Sequence, residues 1–131
     1  MIHLNGEFMP IEEAKISVLD RGFIFGDGVY EVIPVYSRRP FRLEEHLARL
    51  QASLDAIRLA NPHPLPKWTE LVGKIIAGNP WDDQNVYLQV TRGAAKRRRG
   101  YGRWRHILAA RPSFHPDAAP RPRLAPDAAP P

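Results

Sequence analysis

The sequence predicts an α+β fold, a small two-layer α/β sandwich in which a mainly antiparallel sheet carries two helices on one face. Three observations carry that expectation. Asn5-Gly6 sits between short apolar runs, β-branched and aromatic residues fill 28–36 and 85–92, and leucines recur at helical spacing between those two runs. Each such element has one apolar side to bury, and stacking strands against helices in two layers buries both.

Residues 2–8 read as a hairpin because Asn-Gly supplies the two positive-φ positions that a tight two-residue turn requires. In the run 28–36, alternation puts Tyr30, Val32 and Tyr36 on one face and Val29, Ile33 and Val35 on the other. Pro34 has no N–H to give a neighbour and marks an edge position or a bulge. A second hairpin turn is expected at 37–40. Leu43, Leu47, Leu50, Leu54 and Ile57 fall within about 40° of one line at about 100° per residue, so 43–58 is expected to be an amphipathic helix. Glu44 and Glu45 begin it and Arg58 ends it, as the helix dipole favours. A proline-rich connection leads to a second helix over 66–77, with proline in its first turn and Gly78-Asn79-Pro80 closing it. In the following strand, 85–92, Tyr87, Gln89 and Thr91 share a face opposite Val86, Leu88 and Val90.

The formal charge of +5 is unevenly placed. Residues 1–93 hold ten Lys/Arg against twelve Asp/Glu, whereas 94–131 hold nine against two, together with seven of the fourteen prolines. The chain is therefore read as a domain at 1–95 and an Arg/Pro/Ala-rich tail at 96–131. Repeated X-Pro steps from 111 onward discourage helix and sheet, so disorder is expected in the tail, where only Ile107-Leu-Ala-Ala110 has the look of a short strand.

Several function classes fall away. Absence of cysteine removes disulfides, thiolate nucleophiles and cysteine-rich zinc sites. With no leader and no apolar run near the roughly 18 residues of a membrane span, a cytoplasmic protein without membrane contact is expected. His3, His46, His63, His106 and His115 lack metal-ligand spacing, and no metal is expected. Gly26-Asp27-Gly28 lacks the Gly-Lys-Ser/Thr of a nucleotide loop. Its glycines read as a backbone bend before the strand, braced by Asp20 and Arg21.

Three segments, Asp20-Arg-Gly-Phe-Ile-Phe-Gly-Asp-Gly-Val-Tyr-Glu-Val32, Glu45-His-Leu-Ala-Arg-Leu50 and Val86-Tyr-Leu-Gln-Val-Thr-Arg-Gly93, together resemble class IV (fold type IV) aminotransferases. The likeness runs from about Asn5 to Gly93 and is greatest toward D-amino-acid transaminases, with the branched-chain type beside them. It implies the family's small N-terminal domain, pyridoxal 5'-phosphate as cofactor, amino-group transfer between an amino acid and a 2-oxo acid, and a homodimer. It further implies that Arg49 binds the cofactor phosphate, that Tyr30 and Tyr87 help hold the substrate carboxylate, and that Arg97 helps trap it. Arg99 stands where relatives carry a histidine near that arginine.

Helix geometry bears on Arg49 independently, since Arg42, His46, Arg49 and Ser53 share one flank while Glu44, Gln51 and Asp55 take the other. The plainer reading is a solvated face with Arg49 paired to Glu45 at i, i+4, worth a few tenths of a kcal/mol. For the tyrosines it is ordinary half-buried sheet residues. None of the lysines, Lys15, Lys67, Lys74 and Lys96, lies in the context of the family's cofactor-anchoring lysine, which belongs to a second domain. The expectation is thus a truncated aminotransferase with no catalytic residue of its own, inactive alone. The alternatives are a member of the same family resembling aminodeoxychorismate lyase, and a non-enzymatic fragment whose basic tail binds polyanions. The basic residues lie in the tail, so nucleic acid is not the expected partner of the domain itself.

Overall fold

Asn5 at φ 53° and Gly6 at φ 107° occupy the two left-handed positions that the Asn-Gly pair offers, and they join strands β1 (Ile2–Leu4) and β2 (Glu7–Met9). The computed structural model describes residues 1–94 and 105–113. After a 3-10 turn (Ile11–Glu13) come α1 (Arg21–Phe25), β3 (Gly28–Tyr36) and β4 (Arg39–Pro40), then α2 (Leu43–Ala56), α3 (Leu65–Ala77), β5 (Gln84–Thr91) and β6 (Arg105–Pro112). The six strands form one sheet in the order β2-β1-β6-β5-β3-β4, antiparallel at every pairing. Helices α2 and α3 cover one face, as the leucine period requires. Among the described residues no helix is long and apolar enough to cross a membrane.

The stripe on α2 buries Leu47, Leu50 and Leu54, and α3 buries Trp68, Leu71, Val72, Ile75 and Ile76. They meet Ile33 and Val35 of β3, Val86, Leu88 and Val90 of β5, and Leu108 of β6 in one core. Burying each large apolar side chain contributes about 1.5–3 kcal/mol, against about 0.3–1 kcal/mol for an acidic residue near a helix N-terminus, so the stripe rather than Glu44 and Glu45 holds α2 in place. Trp68 donates its indole N–H to Asn61 Oδ1 at 2.8 Å, which fixes the connection between the helices. Arg38, itself at φ 63°, donates to the carbonyls of Ile76, Ala77, Asn79 and Trp81 and so closes the end of α3.

The expected disordered tail at 96–131 is corrected over 105–112. That stretch is β6, paired on one side with β1 and on the other with β5, in the middle of the sheet. His106, Leu108 and Ala110 alternate into the helix side, so the segment has the period of a strand although its composition matches the tail. Proline arrives only at Pro112, where the strand ends. Among the described residues, the N-terminal hairpin joins the rest of the sheet through β6 alone. The disorder expected elsewhere in the tail falls on residues 95–104 and 114–131, outside the described residues.

Candidate functional site

The loop that opens the family-like segment contains one turn of helix, α1, where the sequence suggests only a bend. Buried Asp20 caps it, its Oδ1 accepting the Gly22 N–H at 2.8 Å, and the chain leaves it at Gly26. Asp27 then ties the loop down. It accepts Arg21 Nε at 2.7 Å and Arg92 Nε at 3.1 Å, while Arg92 Nη2 reaches the Ile57 carbonyl at the end of α2. Burial alone would raise the Asp27 carboxyl, but the hydrogen bonds from Arg21 and Arg92 outweigh it and hold the group below its ordinary range. Arg21 therefore braces the loop as expected, through a carboxylate that local pattern does not single out. At Gly28 a Cβ would lie 2.6 Å from the Val90 carbonyl oxygen, so only glycine lets β3 start this close to β5.

Arg49 is not paired with Glu45, which instead takes Arg42 at 3.0 Å. It donates Nε to Glu31 Oε1 at 2.7 Å and Nη2 to Glu31 Oε2 at 2.6 Å, a two-pronged pairing across from β3. Glu31 is 2% exposed on the helix side of its strand. His46, one turn before Arg49, brings Nδ1 to 2.9 Å from the same Oε2. A carboxylate only accepts, so Nδ1 carries the hydrogen, and the 3.3 Å approach of Arg49 Nη2 to His46 Nδ1 is two donors converging on one oxygen. Burial pushes the Glu31 carboxyl up, but the bonds from Arg49 and His46 prevail and hold it ionised below the usual range. Glu31 in turn pushes the Arg49 guanidinium up.

Tyr30 and Tyr87 lie on the other face of the sheet, the one that α2 and α3 leave uncovered. Their rings stack with centroids 5.8 Å apart and planes 22° apart. They are diagonal neighbours, since Tyr30 pairs with Gln89 and Val32 with Tyr87. Burial, then the neighbouring Tyr30, raises the Tyr87 hydroxyl, which stays protonated and able to donate. Beside them a cleft of about 250 Å³ is lined by Asp20, Phe23, Gln89, Thr91, Arg105 and Ile107 among others. Arg105 brings a cation there from the strand that the sequence placed in the tail. Arg97, the remaining candidate, falls among residues 95–104 and lies outside the described residues, as does the basic run 96–99.

The candidates thus form two groups on opposite faces of β3. Glu31, which clamps Arg49, follows Tyr30 in the chain, so the strand carries both groups at adjacent positions. Among the described residues no strand pairs the outer edge of β3 from Gly28 to Ile33. Arg49, with its side chain 65% exposed, lies beside that edge and is open to a ligand. The described lysines are elsewhere. Lys67 and Lys74 both pair with Glu70 on α3, and Lys15 is exposed in the loop after the 3-10 turn.

A further cluster could not be read from spacing. His3, His63 and His106 converge beside Trp68, with His63 Nε2 and His106 Nε2 3.2 Å apart and the His3 and His106 ring centroids 5.0 Å apart. Among the described residues no group of three or more His, Cys, Asp or Glu is arranged to hold a metal ion.

Strand β3 thus presents Tyr30 to one side and, through Glu31, fixes the helix-borne Arg49 on the other. The sequence pattern of amino-transferase class IV matches residues 28–130, and the chain belongs to this family of pyridoxal-phosphate-dependent aminotransferases. The matched residues run on past Gly93 and across β6. The chain is 38% identical over 100 residues to a D-alanine aminotransferase of Staphylococcus epidermidis, covering 76% of this chain and 36% of that protein. With a D-alanine aminotransferase of Listeria monocytogenes it shares 43% identity over 90 residues, 69% of this chain and 31% of that one. Among solved structures, the branched-chain aminotransferase of Escherichia coli superposes with a TM-score of 0.75 at 27% identity, over 85% of this chain and 39% of its own. The branched-chain aminotransferase of the thermophilic archaeon Thermoproteus uzoniensis, solved with norvaline, gives 0.74 at 27% identity, over 85% and 40%. The chain therefore spans about a third to two fifths of the length of these relatives.

Proposed function

We propose that this chain forms the phosphate- and carboxylate-holding wall of a pyridoxal-phosphate-dependent aminotransferase acting on a D-amino acid and a 2-oxo acid. The observation that carries the reading is Arg49, clamped on Glu31 beside the open edge of β3 and still exposed, in a chain whose relatives include D-alanine aminotransferases. When bound, pyridoxal phosphate draws electrons from the bond-breaking carbon of the amino acid and carries the amino group between substrates. Arg49 would hold its phosphate. Tyr30 and the protonated Tyr87 hydroxyl would orient the substrate carboxylate, with Arg97 as its charge partner. No described lysine lies at either group, so the chain by itself is proposed to bind rather than turn over, and the homodimer of the family remains part of this reading. Phe23 and Phe25 of α1 and Tyr30 and Tyr36 of β3 are exposed, on or near the sheet face that α2 and α3 leave uncovered, where the rest of an aminotransferase would pack.

The test is calorimetric titration with pyridoxine 5'-phosphate, which keeps the phosphate but has no aldehyde to react with stray amines, against pyridoxine. Binding is expected to depend on the phosphate, and Arg49→Ala is expected to lose about ten-fold or more of the affinity, the scale of a hydrogen bond to a charged group. Equal binding of the two probes, or an unchanged Arg49→Ala variant, refutes the reading.

A further inference from the structure

We infer that Glu31 is the positioning residue that turns Arg49 into an anion-binding fork, with His46 holding Glu31 in register. The inference rests on the reading that Arg49 is the phosphate ligand, and deepens it. A guanidinium has five N–H groups in one plane. Glu31 takes the Nε–H and one Nη2 hydrogen, at 2.7 and 2.6 Å, and so occupies the side edge. Among the described residues nothing accepts from Nη1. The end edge, one Nη1 hydrogen and the second on Nη2, is therefore directed away from Glu31 with its plane fixed. A free arginine on an exposed helix face would sample many rotamers and lose that freedom on binding. Here the loss is already incurred in the folded chain, because Glu31 sits on a rigid strand, buried, and accepts a third hydrogen bond from His46 at 2.9 Å.

Charge and position predict opposite results at this residue, which makes the inference testable. As a charge, Glu31 opposes any phosphate, so Glu31→Gln should tighten binding. As a clamp it should help, and Glu31→Gln should weaken binding. The experiment titrates the full chain and its variants with pyridoxine 5'-phosphate and with pyridoxine, and records the Arg49 Nε–H signal in ¹H–¹⁵N spectra. In the wild-type chain that signal is expected to be shifted and protected from exchange, and both features should vanish in Glu31→Gln, with affinity for the phosphate form falling about ten-fold or more. Arg49→Lys keeps the charge on an exposed site that tolerates it but cannot present a fork beyond Glu31; it should lose as much as Arg49→Ala, and reads the same point should Glu31→Gln fail to fold.

If the wild-type chain prefers the phosphate and Arg49→Ala abolishes that preference, but Glu31→Gln binds equally or more tightly, the clamp alone is overturned. Retained binding in Arg49→Lys also overturns it. A wild-type chain without phosphate preference overturns the reading of Arg49, and the clamp with it.

Discussion

Replacing Leu108 with alanine asks whether residues 105–112 belong to the fold or hang from it. Leu108 is 0% exposed, pairs in register with His3 of β1 and Leu88 of β5, and lies in the core beneath the helices. The substitution removes three carbons, about 2.4 kcal/mol at about 0.8 kcal/mol for each. The cavity left in a core walled by two strands and α3 adds to that, giving about 3–4 kcal/mol, inside the range of about 2–5 kcal/mol for buried leucines. Domains of this size are stable by only about 5–15 kcal/mol, so the loss is a large fraction of the total. Urea unfolding followed by far-UV circular dichroism measures it. With a slope of about 1–3 kcal/mol per molar, the midpoint should fall by about 1–4 M. Arg111→Ala, at the exposed end of the same strand, is the control and should stay within about 0.5 kcal/mol of wild type. A Leu108→Ala midpoint indistinguishable from that control would refute a central β6 and restore the tail reading.

Acid should weaken the fold through the histidine cluster. Burial, then the charges of His63 and His3, lowers His106 to about 4, and burial first lowers His3 and His63 as well. The unfolded chain, titrating near 6.5, then binds these protons more readily, so stability is full above about pH 6.5 and declines as pH falls toward about 4. His106 alone should cost on the order of 2 kcal/mol between pH 6.5 and 5. Glu31 acts in a lower window, its contribution present above about pH 4.5 and lost below. Urea midpoints at several pH values should fall in the upper window and flatten in His106→Asn; a flat wild-type profile contradicts the cluster. Arg38→Ala should destabilise by about 1–3 kcal/mol by leaving the α3 carbonyls without their donor. Arg38→Lys should recover little, since one ammonium cannot reach four carbonyls in the plane of a guanidinium, and full recovery would show that charge alone suffices.

Legibility follows the range of the interaction. The Asn5-Gly6 turn, the β3 alternation and the α2 stripe are readable because each is set by neighbours within a few residues, and all three stand where expected. For Arg49 the i, i+4 rule names the wrong partner because it sees only the helix, whereas Glu31 is 18 residues away on a strand. Asp27 stands out in the sequence only for its flanking glycines, since Arg92 lies 65 residues further on. In β6, a composition shared with the tail obscures an alternating run too short to dominate it. Arg105 is hidden for the same reason.

By itself the sequence determined which faces are apolar and which family motifs the chain carries, since periodicity and motif spacing are properties of a local stretch. What those faces meet was decided by the tertiary structure. Placing β6 between β1 and β5, seating Glu31 under Arg49, and gathering His3, His63 and His106 all depend on strand order. Strand order is settled by which distant pairings satisfy every buried backbone group at once, and no local pattern records that.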